Sequence, residues 1–284
     1  MKVNNFFLFL LLNLISFSCR KDPIIEAPYK YAFFVAGHTY GSPLSPPKHG
    51  LHEAFHKNIP FINDYSKINF GVLTGDIVNQ STQEFWAAAR LQINELKIPI
   101  HISAGNHDRG EVFASLYESY YSYELHGDLF IILNTNGWKI INDQKDFLNQ
   151  TIQAKAKSVN NIFVFTHELI WWSPTNIFGN IKINYLPNYP GSTNFWDEIH
   201  PMFDTLSNNV TFFAGDLGAT NQVTPYMYYK NKNITYIANG MGSETNDNII
   251  IVEVDYDGTP HYKLYGLNNS KPYIIEDIES YKLP

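Results

Sequence analysis

Two short polar turns, each closing an apolar run and separated by a helix-length stretch, constrain this chain more than anything else in it. Gly75-Asp76 follows Ile68-Asn69-Phe70-Gly71-Val72-Leu73-Thr74, and Gly105-Asn106-His107-Asp108 follows Ile98-Pro99-Ile100-His101-Ile102-Ser103-Ala104. Between them, Ser81 to Lys97 carries Phe85, Ala88, Ala89, Ile93 and Leu96 at helical spacing. Strand, turn, helix, strand, turn is a βαβ unit, and α/β sheets place ligand sites at the carboxyl ends of their strands. Asp, Asn and His delivered to one rim form an oxygen-and-nitrogen donor set suited to Mn, Fe or Zn. Any one of these residues could simply be a turn residue bonding its own backbone. The paired arrangement is what points to a site.

The same pattern recurs along the chain. Lys30–Ala36 reads as a buried strand ending at Gly37-His38, Asn161–Thr166 as one ending at His167, and Val210–Ala214 as one ending at Gly215-Asp216-Leu217-Gly218. Leu129–Leu133 is a further strand, and Asp143–Gln153 a helix with Phe147, Leu148 and Ile152 inward. A short helix is expected over His49–His56, limited by Pro60, and another over Phe195–Leu206 apart from Pro201. Alternation over Ile234–Ala238 and Ile249–Asp255 suggests antiparallel strands. With no internal repeat and no linker-like composition, one domain over 30–284 is expected, preceded by a tether at 20–29.

Residues 1–19 have the character of a leader. The apolar run after Lys2 is too short for a comfortable membrane span and has the length of a signal-peptide core. It ends at Ser18-Cys19, similar to a bacterial lipoprotein cleavage site, and Cys19 is the only cysteine among 284 residues. A mature chain without a second thiol leaves Cys19 no disulfide partner, so an acylated anchor at the bacterial cell envelope is preferred over plain secretion. The net charge of −7 with no basic run argues against nucleic acid as the main partner.

Taken together, the five strand-end turns resemble those of the calcineurin-like metallophosphoesterases, over roughly residues 30–256. Gln144 with Phe147-Leu148, and Gly240-Met241-Gly242 between late strands, agree with that resemblance. It implies a four-layer αββα sandwich of two mixed sheets flanked by helices, with divalent metals where strand ends converge. Two cations about 3.5–4 Å apart can clamp the attacking and leaving oxygens of a phosphoryl transfer. By the same resemblance Asp76 bridges two metals, Asn106 and His167 bind the second, and His107, oriented by Asp108, assists the leaving oxygen. The expected substrate is a phosphate ester or another anionic small molecule or glycan.

Two motifs depart from the family pattern. Asp-x-His is here Ala36-Gly37-His38, and Gly-His-x-His is here Gly215-Asp216-Leu217-Gly218. Alanine and glycine offer no donor, so the first metal keeps only His38 and Asp76. The second keeps Asp76, Asn106 and His167 and gains Asp216, a harder and more anionic ligand than imidazole. One tightly bound metal is therefore expected. His49 or His52 could reach back to replace what is missing.

Two other features compete for attention. His52-Glu53-Ala54-Phe55-His56 matches H-E-x-x-H, a zinc-peptidase signature when it lies on a helix, but the helix is short and no third-ligand context follows. The aromatic segment after His167, with Trp171, Trp172, Phe178, Tyr185, Tyr189, Phe195 and Trp196, reads either as core or as a substrate wall headed by Trp171 and Trp172. The leading expectation is an envelope-anchored metallophosphoesterase-like hydrolase. The alternative is a catalytically impaired member that binds an anionic ligand or partner in the same pocket.

Anchoring gives the first testable outcome. Cys19→Ala is expected to shift the protein from the membrane fraction to the soluble one. A variant that stays with washed membranes would show that Cys19 is not the anchor.

Overall fold

The structure, a computed structural model, describes residues 27–185 and 193–284. The expected leader with Cys19, most of the tether and Tyr189 lie outside the described residues. In chain order the first six strands are Tyr29–Ala36 (β1), Ile68–Thr74 (β2), Ile100–Ser103 (β3), Tyr121–Leu125 (β4), Asp128–Ile132 (β5) and Asn161–Phe165 (β6). Asn209–Ala214 (β7), Tyr226–Asn231 (β8), Ile234–Asn239 (β9), Asn248–Asp255 (β10), Pro260–Gly266 (β11) and Tyr273–Ile274 (β12) follow. The helices are Glu53–His56 (α1), Ile59–Asp64 (α2), Gln83–Ile93 (α3), Glu111–Leu116 (α4) and Asn142–Lys155 (α5).

Two sheets form, ordered β12-β11-β10-β1-β2-β3 and β4-β5-β6-β7-β9-β8. In the first, β1, β2 and β3 run parallel while β10 joins β1 antiparallel. In the second, β5, β6, β7 and β9 run parallel, with β4 and β8 antiparallel at the edges. The strands of β1 show why the sheets stack. Tyr31, Phe33 and Val35 point into the layer between the sheets, and Ala32, Phe34 and Ala36 point to the helices outside. A strand covered on both faces can be apolar throughout, as β1 is from Tyr31 to Ala36.

The inter-sheet layer is largely phenylalanine. Phe33 stacks on Phe70 at 4.9 Å and meets Phe130, Phe163, Phe165 and Phe213 edge-on at 5.1 to 6.2 Å. Outside the first sheet, Phe55, Trp86, Ala89 and Phe113 from the helices complete a second core; outside the other, Leu148 and Ile152 of α5 contribute to a third. Gly71 is required in β2 because a Cβ there would lie 2.0 Å from the Phe34 ring. Three cores between four layers give the expected αββα sandwich.

Local structure differs from expectation in several places. The helix at 49–56 shrinks to Glu53–His56 with His52 as its cap, and Pro60, instead of ending it, sits in the first turn of α2, where no amide is needed. The α3 helix starts at its Thr82 cap and stops at Ile93; Leu96 is buried from the turn that follows. Phe195–Leu206 forms one π-helical turn and a 3₁₀ turn beginning at His200-Pro201 rather than a regular helix. The edge strands β4 and β8, unanticipated, are tyrosine-rich and only partly buried.

Phe33→Ala should lower unfolding free energy by about 3–5 kcal/mol, because Phe33 sits fully buried at the centre of the inter-sheet layer. Leu44→Ala, at a side chain 82% exposed, should stay within about 0.5 kcal/mol of wild type. Chemical denaturation of both variants measures the contrast, and similar midpoints would place the core elsewhere.

Candidate metal centre

The carboxyl ends of five strands from both sheets meet at one rim. His38 follows β1, Asp76 follows β2, and Asn106, His107 and Asp108 follow β3; His167 follows β6 and Asp216 follows β7. Backbone bonds lock these turns together. The His38 amide donates to Gly75 O at 3.0 Å, and the Gly215 and Asp216 amides donate to His167 O at 2.9 and 3.1 Å. His38 and Asp76 both take left-handed backbone (φ 55° and 53°), an uncommon conformation for residues with side chains. The motif glycines make room for the site's side chains. A Cβ on Gly105 would lie 2.1 Å from Asp76 Oδ1, and one on Gly75 2.4 Å from His167 Nδ1.

His38, Asp76 and Asp216, all buried, bring ligand atoms within 4.8 Å of one another. His38 Nε2 is 3.3 Å from Asp76 Oδ2. His167 Nε2 is 3.4 Å from Asp76 Oδ1 and 3.8 Å from Asp216 Oδ1. Because His167 Nδ1 lies 2.9 Å from the Thr74 carbonyl, that nitrogen carries a proton and Nε2 is the nitrogen that faces the carboxylates. Burial lowers the His167 pKa, yet Asp76 and Asp216 overcome it and raise it to about 9. For His38 burial wins over Asp76 and takes it down to about 4. Burial, with the Asp76 charge, carries Asp216 up to about 7 despite His167. Burial also opposes ionisation of Asp76, but His167, His38 and the His107 amide hold its carboxyl below the usual range.

Asp76 Oδ2, Asp216 Oδ2 and His167 Nε2 are buried without any hydrogen-bond partner. Buried polar atoms are ordinarily paired, and acceptors facing one another need a positive charge between them. A divalent cation fits this set of two carboxylates and two imidazoles, with Mn, Fe or Zn the borderline ions it suits.

The residues of the Gly105–Asp108 turn divide their roles differently from expectation. Asn106 is exposed at the rim. His107 is half-buried, its amide bonded to Asp76 Oδ1 at 3.1 Å and its Nδ1 to Asn79 O at 2.8 Å. Asp108 does not orient His107. Its carboxylate accepts from the amides of Ile77, Val78 and Gly105 at 2.8, 3.0 and 2.8 Å, tying the turn after β2 to the turn after β3. A buried carboxylate needs several donors to stay satisfied, and here three backbone amides supply them in place of an imidazole. Burial and the Asp76 charge raise its pKa to about 6 against those amides.

Other candidates fall outside the centre. His49 packs its ring at a tilt against Phe85 and pairs with Glu84, while His52 faces Asp247 at 3.8 Å, so neither replaces a ligand. His56 points away to Glu95 at 2.9 Å, and the H-E-x-x-H segment makes no two-histidine site. Trp171 and Trp172 do not wall a substrate. Both are buried in the core outside the second sheet, Trp171 against Tyr236 and Phe195 and Trp172 bonding Ile181 O. Ala36 is packed in the core under α1–α3. Gly218 has φ 67°, and a Cβ there would lie 2.5 Å from Gly240 O.

Three participants carried no motif. Asn184, in Lys182-Ile183-Asn184-Tyr185, places its amide nitrogen 3.2 Å from His38 Nε2 and 3.0 Å from Asp216 Oδ1. Tyr40 lays its ring 4.6 Å from His38 and 5.1 Å from His107. Asn79 enters through its carbonyl, which no residue-type signal could reveal. Beyond Tyr40 a cavity of about 430 Å³ opens, lined among others by Lys48, His52, Lys57, Glu244 and Asp247.

A family model described as calcineurin-like phosphoesterase matches residues 48–240. A probable cyclic nucleotide phosphodiesterase from Fibrobacter succinogenes is 27% identical over 105 residues, 34% of this chain and 40% of the relative. A probable glycerophosphodiester phosphodiesterase from Arcobacter nitrofigilis is 26% identical over 114 residues, 40% of each chain. Each match thus spans well under two thirds of the relative's length. Among solved structures, a purple acid phosphatase from yellow lupin seeds superposes with TM-score 0.61 at 10% identity, over 89% of this chain and 55% of that one, a likeness of fold.

Asp108→Asn replaces an oxygen that accepts from backbone with an NH₂ that cannot. It should cost about 1–3 kcal/mol of stability, whereas His107→Gln should leave stability near wild type. Thermal unfolding separates the two, and an Asp108→Asn variant as stable as wild type would remove Asp108 from the role of tie between turns.

Proposed function

The chain belongs to the calcineurin-like phosphoesterase family, and on that premise we propose that it is a metal-dependent phosphoesterase acting on a phosphodiester at the rim where the two sheets meet. The observation that carries this reading is the convergence of Asp76 Oδ2, Asp216 Oδ2 and His167 Nε2, buried and unpartnered, beside His38. Asp76, Asp216, His38 and His167 would hold one tightly bound divalent ion. Bound there, such an ion supplies Lewis acidity, lowering the pKa of water and polarising a phosphoryl oxygen.

The remaining chemistry falls to the chain's own residues. His107 donates an Nδ1–H hydrogen bond to the Asn79 carbonyl, so Nε2 is the ring nitrogen left to deliver or take a proton at the leaving oxygen. Its backbone amide bonds Asp76 Oδ1 and so keeps that oxygen fixed in place. The mixed-charge cavity beyond Tyr40 suits the polar arm of a small ester. Both curated relatives carry phosphodiesterase names, which supports a diester over a monoester. The leader and Cys19 support an exported, lipid-anchored location.

A second reading, a binding protein for an anionic ligand, rests on Ala36 and Gly218. One methyl is committed to the core and the other position has no room for a Cβ, so neither can donate to a second ion.

Metal content and hydrolysis of bis(p-nitrophenyl) phosphate test both readings. Asp76→Ala should lose bound metal and activity together. His107→Gln should keep its metal and lose about 10²–10⁴ in kcat. His107→Gln at the wild-type rate would take His107 out of the chemistry, and metal-loaded wild type without activity would favour the binding protein.

A further inference from the structure

We infer that Asn184 is a metal ligand, its side-chain carbonyl supplying the donor that Ala36 and Gly218 do not; this rests on the metal reading above. Among the described residues, Asn184 is the one side chain hydrogen-bonded to both His38 Nε2 and Asp216 Oδ1, at 3.2 and 3.0 Å, and those residues are two of the three that form the close cluster. The amide donates to both atoms, so each presents a lone pair toward the same small volume. Two acceptors aimed at one N–H group are also two ligands aimed at one cation.

A carboxamide is suited to exchange these roles. Its oxygen and nitrogen are nearly isosteric, and the group turns whichever end its surroundings require. Facing bare acceptors, Asn184 presents NH₂. Facing a cation held by His38, Asp76 and Asp216, the same side chain rotated about its terminal bond presents oxygen. The neighbouring backbone gives this position its value. A side chain at residue 218 would strike Gly240 O, and Ala36 points away into the core, so the His38 side of the centre has room for a donor from the 171–185 segment and from neither ancestral position. Two carboxylates, two imidazoles and one neutral amide oxygen make an oxygen-weighted set that suits Mn²⁺.

Calorimetric titration of the metal-stripped full chain with MnCl₂, with circular dichroism to verify folding, tests this. Asn184→Ala should weaken Mn²⁺ binding about ten- to a hundredfold, as loss of a metal-site group typically does. Asn184→Asp, which keeps an oxygen donor and adds charge, should bind at least as tightly as wild type. Asn184→Ala within twofold of wild type, or Asn184→Asp as weak as Asn184→Ala, would overturn the assignment. Wild type that binds no Mn²⁺ would instead overturn the metal reading on which it rests.

Discussion

The molecule is organised around one buried carboxylate. Asp76 is 1% exposed, and an ionised group withdrawn from water costs several kcal/mol unless charges and donors surround it. The surroundings come from afar in sequence: the His107 amide from the end of β3, the His38 ring from β1 and the His167 ring from the other sheet. Satisfying Asp76 therefore requires parallel strands ending at a common level, glycine turns thin enough to let rings approach, and two sheets packed so that their carboxyl edges face one another. The fold is what this requirement looks like when met.

Replacing a histidine by Asp216 makes the centre more demanding. Two carboxylates and the lone pairs of His38 and His167 face one another, and protons alone resolve the conflict poorly: burial and mutual repulsion raise the Asp216 pKa to about 7 while His167 rises to about 9. A divalent ion would neutralise both carboxylates at once and pair the unpartnered atoms. The donor set, although short of two familiar positions, is thus more anionic per ion than a histidine-rich one.

Much of this was legible in the chain because strand-end turns leave a local signature: an apolar run, a glycine, then a polar residue. Asp76, His107, His167 and Asp216 stand out this way, and the family resemblance that the order of the turns carries implies the sandwich. What stayed hidden acts through backbone or across long separations. Asp108 sits in the expected turn, but its partners are amides at Ile77, Val78 and Gly105, which no side-chain pattern encodes. Asn184 occupies a segment rich in asparagine and lacking periodicity. Trp171 and Trp172 misled for a related reason, since aromatic residues covering a bare sheet face and aromatic residues lining a pocket have the same composition. Pro60 reads in the sequence as a limit on the helix before it, and its place in the first turn of α2 is clear only from the capping geometry.

The phenylalanine layer has a consequence for how the centre responds to its ion. His38 and Asp76 belong to one sheet, His167 and Asp216 to the other, and the rings of Phe33, Phe70, Phe163, Phe165 and Phe213 fill the space between. Coordination distance and sheet separation are therefore a single mechanical variable. An ion that grips donors on both sides acts as a clasp across the sandwich, and because only the assembled sandwich presents those donors together, its binding energy adds to the free energy of docking one sheet on the other. Thermal resistance in such a molecule is partly a property of the ion concentration around it.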